Sequence, residues 1–323
     1  MDGTVCRICP RNCGVDRSRS TGRCKMGIQP VIARAALHFW EEPCISGKEG
    51  SGAIFFSGCA LHCVYCQNRG IAEGRQGIAV TEDRLADICL ELQEQGANNI
   101  NLVTAGHFLP AVVSMLKKAK QKGLAVPVVY NSGGYEKPGE LEALRGLADI
   151  FLPDFKYISP ELAERYSHAA DYPERAKAAL AKMAELAGVY GEEAAVFDDS
   201  GIMRRGMIVR HLVLPGHVNE SKKIIRYLYD TYGNRIYLSL LSQYTPMPGI
   251  EKTFPELGRR ITKREYERVV DYALSLGVVN GFVQSRKTAE ESFIPEFDGT
   301  GCTGTAAGGA PEIIPAAGAD LHV

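Results

Sequence analysis

The chain has 323 residues, 45% of them hydrophobic, and a formal net charge of −1. That is apolar material for one large α/β domain or two modest ones, without collagen-like or disordered bias. Near-neutrality excludes a chain-wide electrostatic surface for nucleic acid, so no nucleic-acid partner is expected.

Residues 1–50 hold five of the ten cysteines and little periodic hydrophobicity. Cysteines and arginines stand where a signal peptide carries its apolar run, and nothing approaches the roughly 20 apolar residues of a membrane helix. A cytoplasmic protein without membrane contact is expected, where clustered cysteines bind metal more often than they form disulfides. In CRICPRNCGVDRSRSTGRC, Cys6, Cys9, Cys13 and Cys24 are spaced C-x2-C-x3-C-x10-C. Four thiolates this close, with Pro and Gly between them, can close one tetrahedral metal site. Arg7, Arg11, Arg17, Arg19, Arg23 and Lys25 are available to balance its negative charge. Zinc and an auxiliary iron–sulfur cluster both fit the spacing, and the arginine-rich, solvent-near setting favours zinc as this second metal. The basic cluster lacks the interleaved aromatics of a single-strand nucleic-acid platform. Cys44, in EEPCISG, is expected as a buried thiol, with a site ligand the alternative.

From about residue 53, short β-like runs alternate with helical ones. Strands are predicted at Ala53–Phe56, Ile100–Val103, Val126–Tyr130, Ile150–Leu152, Met207–Leu214, Ile236–Leu240 and, more weakly, Val278–Val283. TEDRLADICLELQEQG puts Leu85, Ile88, Cys89 and Leu92 on one helical face, with Gly96 at its end. Further helices are predicted over Pro110–Lys122, 173–187 and 219–232. The last begins at Thr262-x-x-Glu265, a capping-box signature. This alternation predicts βαβ units and a mostly parallel sheet over residues 51–297. No long internal repeat is present. Residues 298–323 are Gly/Ala/Pro-rich, which predicts a mobile tail with Cys302 an incidental thiol.

The first predicted strand ends in SGCALHCVYCQN, where Cys59, Cys63 and Cys66 are spaced C-x3-C-x2-C. The next cysteine, Cys89, lies 23 residues on. A structural zinc site or an ordinary four-iron cluster takes four protein ligands. Three leave one metal position open. An open iron can bind a small molecule and pass it one electron. The cysteines also sit on the loop at the C-terminal end of a strand, where α/β barrels keep their chemistry.

This stretch resembles the radical S-adenosylmethionine (SAM) enzymes, whose hallmark is C-x3-C-x-φ-C with φ aromatic, here Tyr65. The resemblance implies a partial (β/α)6 TIM-like barrel, a [4Fe–4S] cluster on Cys59, Cys63 and Cys66, and Tyr65 beside the adenine. SAM takes the fourth iron and is cleaved by one electron, from a flavodoxin- or ferredoxin-type donor, to methionine and a 5′-deoxyadenosyl radical that abstracts hydrogen. CVYCQN, VVYNSGG, LPDFKY and IVRHLVLPG further resemble the pyruvate formate-lyase activating-enzyme group, over about residues 5–297, and in particular its homologues with an extra N-terminal cysteine segment.

That closer resemblance implies SAM contacts at Lys156 of D-x-K and Arg210 of R-x-x-V-x-P-G, with surface salt bridges the alternative. A fixed cation suits a carboxylate. Asn131 and Ser132 match polar groups near methionine and ribose, and Asp154 matches a monovalent-cation ligand. Tyr130 stands where that site has its neighbouring acid, which speaks against a cation. Where many members have G-G-E, this chain has Val103-Thr104-Ala105-Gly106-His107, so Thr104 or a backbone carbonyl takes over the SAM amino group. His107 is a candidate acid or base, or else a structural histidine. Gln243 and Tyr244 are candidates to face the site or to pack in the core. The function implied is a glycyl-radical activase with a protein substrate. The alternatives are radical chemistry on a small molecule, peptide, RNA or cofactor precursor, or a non-catalytic metal-binding protein.

Overall fold

A computed structural model describes residues 5–284 and 294–303 of the chain. Its strands are β1 (Val31–His38), β2 (Ser51–Phe56), β3 (Ile78–Ala79), β4 (Ile100–Val103), β5 (Val128–Ser132), β6 (Ile150–Pro153), β7 (Val196–Phe197), β8 (Met203–Leu212), β9 (Tyr237–Leu241) and β10 (Gly281–Val283). The sheet runs β10-β9-β8-β6-β5-β4-β2-β1-β3, with β7 paired to β8. From β2 through β4, β5, β6, β8 and β9 to β10 every pairing is parallel. Each of these strands is linked to the next by helix, at 82–94, 109–121, 138–141, 160–167 with 172–186, 218–232 and 263–276. The fold is therefore α/β, a partial (β/α)6 barrel of parallel strands.

The helices form where composition and caps agree. Thr81 accepts the Arg84 N–H at 3.1 Å and opens the first long helix, which buries Leu85, Ile88, Cys89 and Leu92. Thr262 and Glu265 form the reciprocal box at 263–276, and Gly277 closes that helix at φ +94°. β1 was not expected. VIARAALH is rich in alanine and carries an arginine, and its strand form comes from antiparallel pairing with β2 over Ile32–His38.

Alternation along the strands separates two faces. Ile54, Leu102, Tyr130, Phe151, Val209 and Leu238 face the helices in the main core. The concave face carries two smaller apolar clusters. One joins Ala33, Ala53, Phe55 and Val103 to Phe297, whose ring meets Phe55 at 5.5 Å. The other joins Val129, Ile150, Leu152 and Ile208 to Cys44 and Ile45, from the short helix Pro43–Ser46, which plugs the barrel floor. Asn101, Asn131, Asp154, Arg210 and Ser239 share the concave face, and form its polar layer.

Part of the expected tail is ordered. Gly299 N–H donates to the Ala33 carbonyl at 3.0 Å, Ala35 N–H donates to the Thr300 carbonyl at 2.8 Å, and Cys302 is buried. This backbone takes the edge of β1, which overrides its flexible composition. The remainder of that tail, 304–323, lies outside the described residues.

Candidate active site

β2 delivers Ser57 and Gly58 at its C-terminal end, and the chain turns there at Gly58 with φ +86°. The following loop carries Cys59, Cys63 and Cys66. Their sulfurs lie close enough to repel one another as thiolates, and sit in crowded surroundings although each residue keeps some exposed surface. Burial pushes the Cys66 thiol up to about 12 and also raises that of Cys59, with the neighbouring sulfurs adding to both. Such thiols stay neutral unless a cation takes their charge. Cys63 Sγ accepts a hydrogen bond from Ser167 Oγ at 3.0 Å, and the Ser167 hydroxyl lies 2.8 Å from that of Tyr157. Tyr65 is buried among the rings of Tyr157, Tyr166 and Tyr244, its hydroxyl 2.7 Å from that of Tyr157.

The other strand ends add the polar layer. Asn131 and Ser132 close β5, Asp154 and Lys156 follow β6, and Arg210 lies in β8. Arg210 Nε donates to Asp154 at 2.9 Å, its Nη2 to Asn131 Oδ1 at 2.6 Å and its Nη1 to Glu41 at 3.1 Å. Lys156 pairs with the other oxygen of Asp154. Burial alone would raise Asp154, but Arg210 and Lys156 hold its carboxyl below the usual range. Burial alone would likewise discharge Lys156, and Asp154 reverses that, keeping the ammonium charged. The expected SAM-facing cations are thus brought together, in a buried network rather than surface pairs.

Thr104 follows β4 in a left-handed conformation, φ +61°, its N–H bonded to the Asn131 carbonyl at 2.9 Å. A β-branched residue there is strained, and such strain gathers at functional turns. His107 lies where a structural histidine would. It is buried, a ring nitrogen lies 2.7 Å from the Ser57 carbonyl, and burial lowers it to about 3. Tyr244 donates to the Leu257 carbonyl at 2.6 Å within the core. Gln243 receives Gln67 of the cysteine loop on its carbonyl, at 2.9 Å. Tyr130 points to the helix side, and its hydroxyl is unpartnered among the described residues.

Three acids escaped the sequence reading. Glu41 and Glu42 rise from the floor plug into the polar layer, Glu41 also accepting from Asn101 Nδ2 at 3.1 Å. Burial raises Glu42, Arg210 opposes, and one of its oxygens has no partner among the described residues. Glu136, four residues past Ser132 in the quoted VVYNSGG run, accepts from Ser132 Oγ at 3.3 Å and is pushed up by burial to about 8. No spacing rule points to Glu41 or Glu42, because their place depends on the unforeseen β1.

Cys6, Cys9, Cys13 and Cys24 gather in a knot of turns beside this mouth. Cys13 and Cys24 Sγ lie 3.6 and 3.5 Å from one point, the Cβ position of Gly22. Burial raises Cys24 and pushes Cys9 up to about 11. Among the described residues no three His, Cys, Asp or Glu side chains form a ready single-ion site. Cys44 and Cys89 stand apart from both thiol groups, Cys44 in the floor plug and Cys89 Sγ 3.6 Å from Met115 Sδ. The donor chemistry suits sulfur-seeking metals, with thiols at both places: four in the knot and three at the mouth.

Three thiols thus share the loop after the first parallel strand of a partial barrel, at the strand's C-terminal end. Residues 53–228, more than half of the chain, match the radical SAM superfamily, and the chain belongs to it. SAM and a [4Fe–4S] cluster are what this family implies, together with an electron donor. An uncharacterized protein of Methanocaldococcus jannaschii is 28% identical over 276 residues, which cover 83% of this chain and 74% of that one. Among solved structures, SuiB of Streptococcus suis bound to S-adenosylmethionine is similar with a TM-score of 0.49 at 12% identity over 74% of this chain. SuiB bound to its precursor peptide SuiA is similar with a TM-score of 0.46 at 13% identity over 72% of this chain. The chain spans 52% and 48% of the length of those structures. Among the described residues no helix is long and apolar enough to cross a membrane.

Proposed function

We propose that this chain is a glycyl-radical activase. Cys59, Cys63 and Cys66 hold the cluster, and Asn131, Ser132, Thr104, Asp154, Lys156 and Arg210 receive SAM, with Tyr65 on the adenine side. A cluster and SAM held there would supply one-electron chemistry able to abstract a hydrogen atom, in this reading from a glycine of a partner protein. The chain's own groups orient and exclude. Arg210 and Lys156 offer the buried cations that a carboxylate needs, and the plug and the Phe55–Phe297 pair keep water from the barrel floor and side. A cleft of about 320 Å³ lined by His62, Cys63, Cys66, Arg69, Met247 and Phe254 opens the cysteine loop to the outside, where a flavodoxin- or ferredoxin-type donor would reach it. Cys6, Cys9, Cys13 and Cys24 bind the second metal, with zinc preferred over an auxiliary cluster because arginines surround the knot.

The observation that carries the reading is the buried Asp154–Lys156–Arg210 network facing three thiols at one barrel mouth. Anaerobically reconstituted protein given reductant and SAM is expected to release 5′-deoxyadenosine, and Cys63→Ala to abolish it. Full turnover in that variant would reject the chemistry. With a candidate partner added, a glycyl-radical electron paramagnetic resonance (EPR) doublet supports the activase, whereas its absence with every glycyl-radical protein of the host rejects that substrate. Metal analysis showing about four irons and one zinc per chain supports the zinc knot, and about eight irons without zinc overturns it.

A further inference from the structure

The knot does more than stand beside the mouth. Arg11, between Cys9 and Cys13, spreads its guanidinium over three carbonyls. Its Nε donates to Ala60 at 2.8 Å, its Nη2 to Ser167 at 2.9 Å and its Nη1 to His168. Ala60 follows the ligand Cys59. Ser167 and His168 end the helix 160–167, and the Ser167 hydroxyl donates to Cys63 Sγ at 3.0 Å. The loop itself leans on the same helix end, since Val64 N–H donates to the Tyr166 carbonyl at 2.9 Å. A planar fork with five donors can bridge separate carbonyls as an ammonium cannot, and a cation is favoured at a helix C-terminus.

Other knot residues press on the same loop. A ring nitrogen of His62 lies 2.8 Å from the Arg23 carbonyl. The Cβ position of Gly58 is 2.6 Å from the Cys24 carbonyl oxygen, so knot and loop backbones meet there with room only for glycine. Arg17 donates to the carbonyl of His107 at 2.5 Å, and the His107 ring holds Ser57.

We propose that the four-cysteine knot is a clamp on the cluster-bearing loop, and that Arg11 is its positioning residue, acting on Cys59 and Cys63 through Ala60 and Ser167. The inference rests on the cluster ligands proposed above. Its logic is that of any metal site whose ligands are oriented by outer hydrogen bonds, which also tune the potential of sulfur-ligated iron. Whatever loosens the knot therefore changes the environment of the radical cluster, through 2.8–3.0 Å hydrogen bonds.

The test uses the full chain, reconstituted anaerobically, as wild type, Arg11→Gln, Arg11→Lys and Cys13→Ser. Three quantities are read: iron bound, the EPR spectrum of the dithionite-reduced protein with and without SAM, and the rate of iron–sulfur bleaching in air. Arg11→Gln is expected to fold as wild type does and to bleach about tenfold faster with displaced g-values. Arg11→Lys should restore part of the difference, and Cys13→Ser should reproduce the Arg11→Gln spectrum. Wild-type g-values and bleaching in Arg11→Gln overturn the clamp while leaving the cluster assignment intact; should Cys13→Ser not fold, Arg11→Gln decides. Absence of iron from wild type itself overturns the ligand assignment, and the clamp with it.

Discussion

Glu136 shows how a single buried group makes the site sensitive to pH. Its carboxyl accepts from Ser132, and the Cβ position of Gly106 lies 3.0 Å from its Oε1 and 2.9 Å from the Tyr130 hydroxyl, so the three crowd together. Burial, with Asp154 adding and Lys156 opposing, raises it from 4.5 to about 8. A folded value above the unfolded one means that the neutral form stabilises the fold. That contribution is complete below about 4.5 and is lost as pH rises through about 8. Glu136→Gln keeps the shape without the titration. Its melting temperature is expected to match wild type at pH 5 and to exceed it by several degrees at pH 9. Parallel curves across that range would contradict the assignment. At this scale the grouping of the cysteines on one loop and in one knot was legible, since their spacing is local. The acids Glu41, Glu42 and Glu136 were hidden, because what makes them matter is burial by segments distant in sequence.

Among elements, β1 and residues 299–302 depend on one another. Gly301 has φ +72°, and a Cβ there would lie 2.0 Å from the Ala35 carbonyl oxygen. Gly301→Ala should therefore lift this segment off β1, and the buried Cys302 thiol, whose Sγ lies 3.6 Å from the Ile32 carbonyl, should become reactive. The check is thiol labelling of the native protein, in which Cys302 is expected to react at least tenfold faster in the variant, tracking its greater open population. Unchanged labelling would show that the segment tolerates the clash. The long helices and the parallel strands were legible because periodicity and caps agree along each. β1 and its partner were not, because the alanines of β1 favour helix over strand, the glycines of 299–302 favour neither, and the pairing itself supplies the preference.

Taken whole, the barrel is stoppered from below by its own N-terminal region. Ile45 is fully buried against Val129, Ile150, Leu152, Met203 and Ile208, residues drawn from three strands. Ile45→Ala is expected to cost about 2–5 kcal/mol in urea unfolding, as for other deletions of a buried isoleucine. A cost below about 1 kcal/mol would mean that the floor collapses to fill the gap. The same connection joins the chain's distant parts in time as well as in space. Arg34 Nη1 meets Asp298 at 3.0 Å across 264 positions of sequence, and Ala33 and Ala35 take their outer backbone bonds from Gly299 and Thr300. During synthesis β1 emerges early, yet its outer edge waits for nearly the whole polypeptide before it can be covered. Closure over such a loop is entropically slow, and until it happens a bare strand edge is open to the wrong neighbour. For this barrel, the hazardous interval in the life of each molecule falls between the making of residue 38 and the arrival of residue 299.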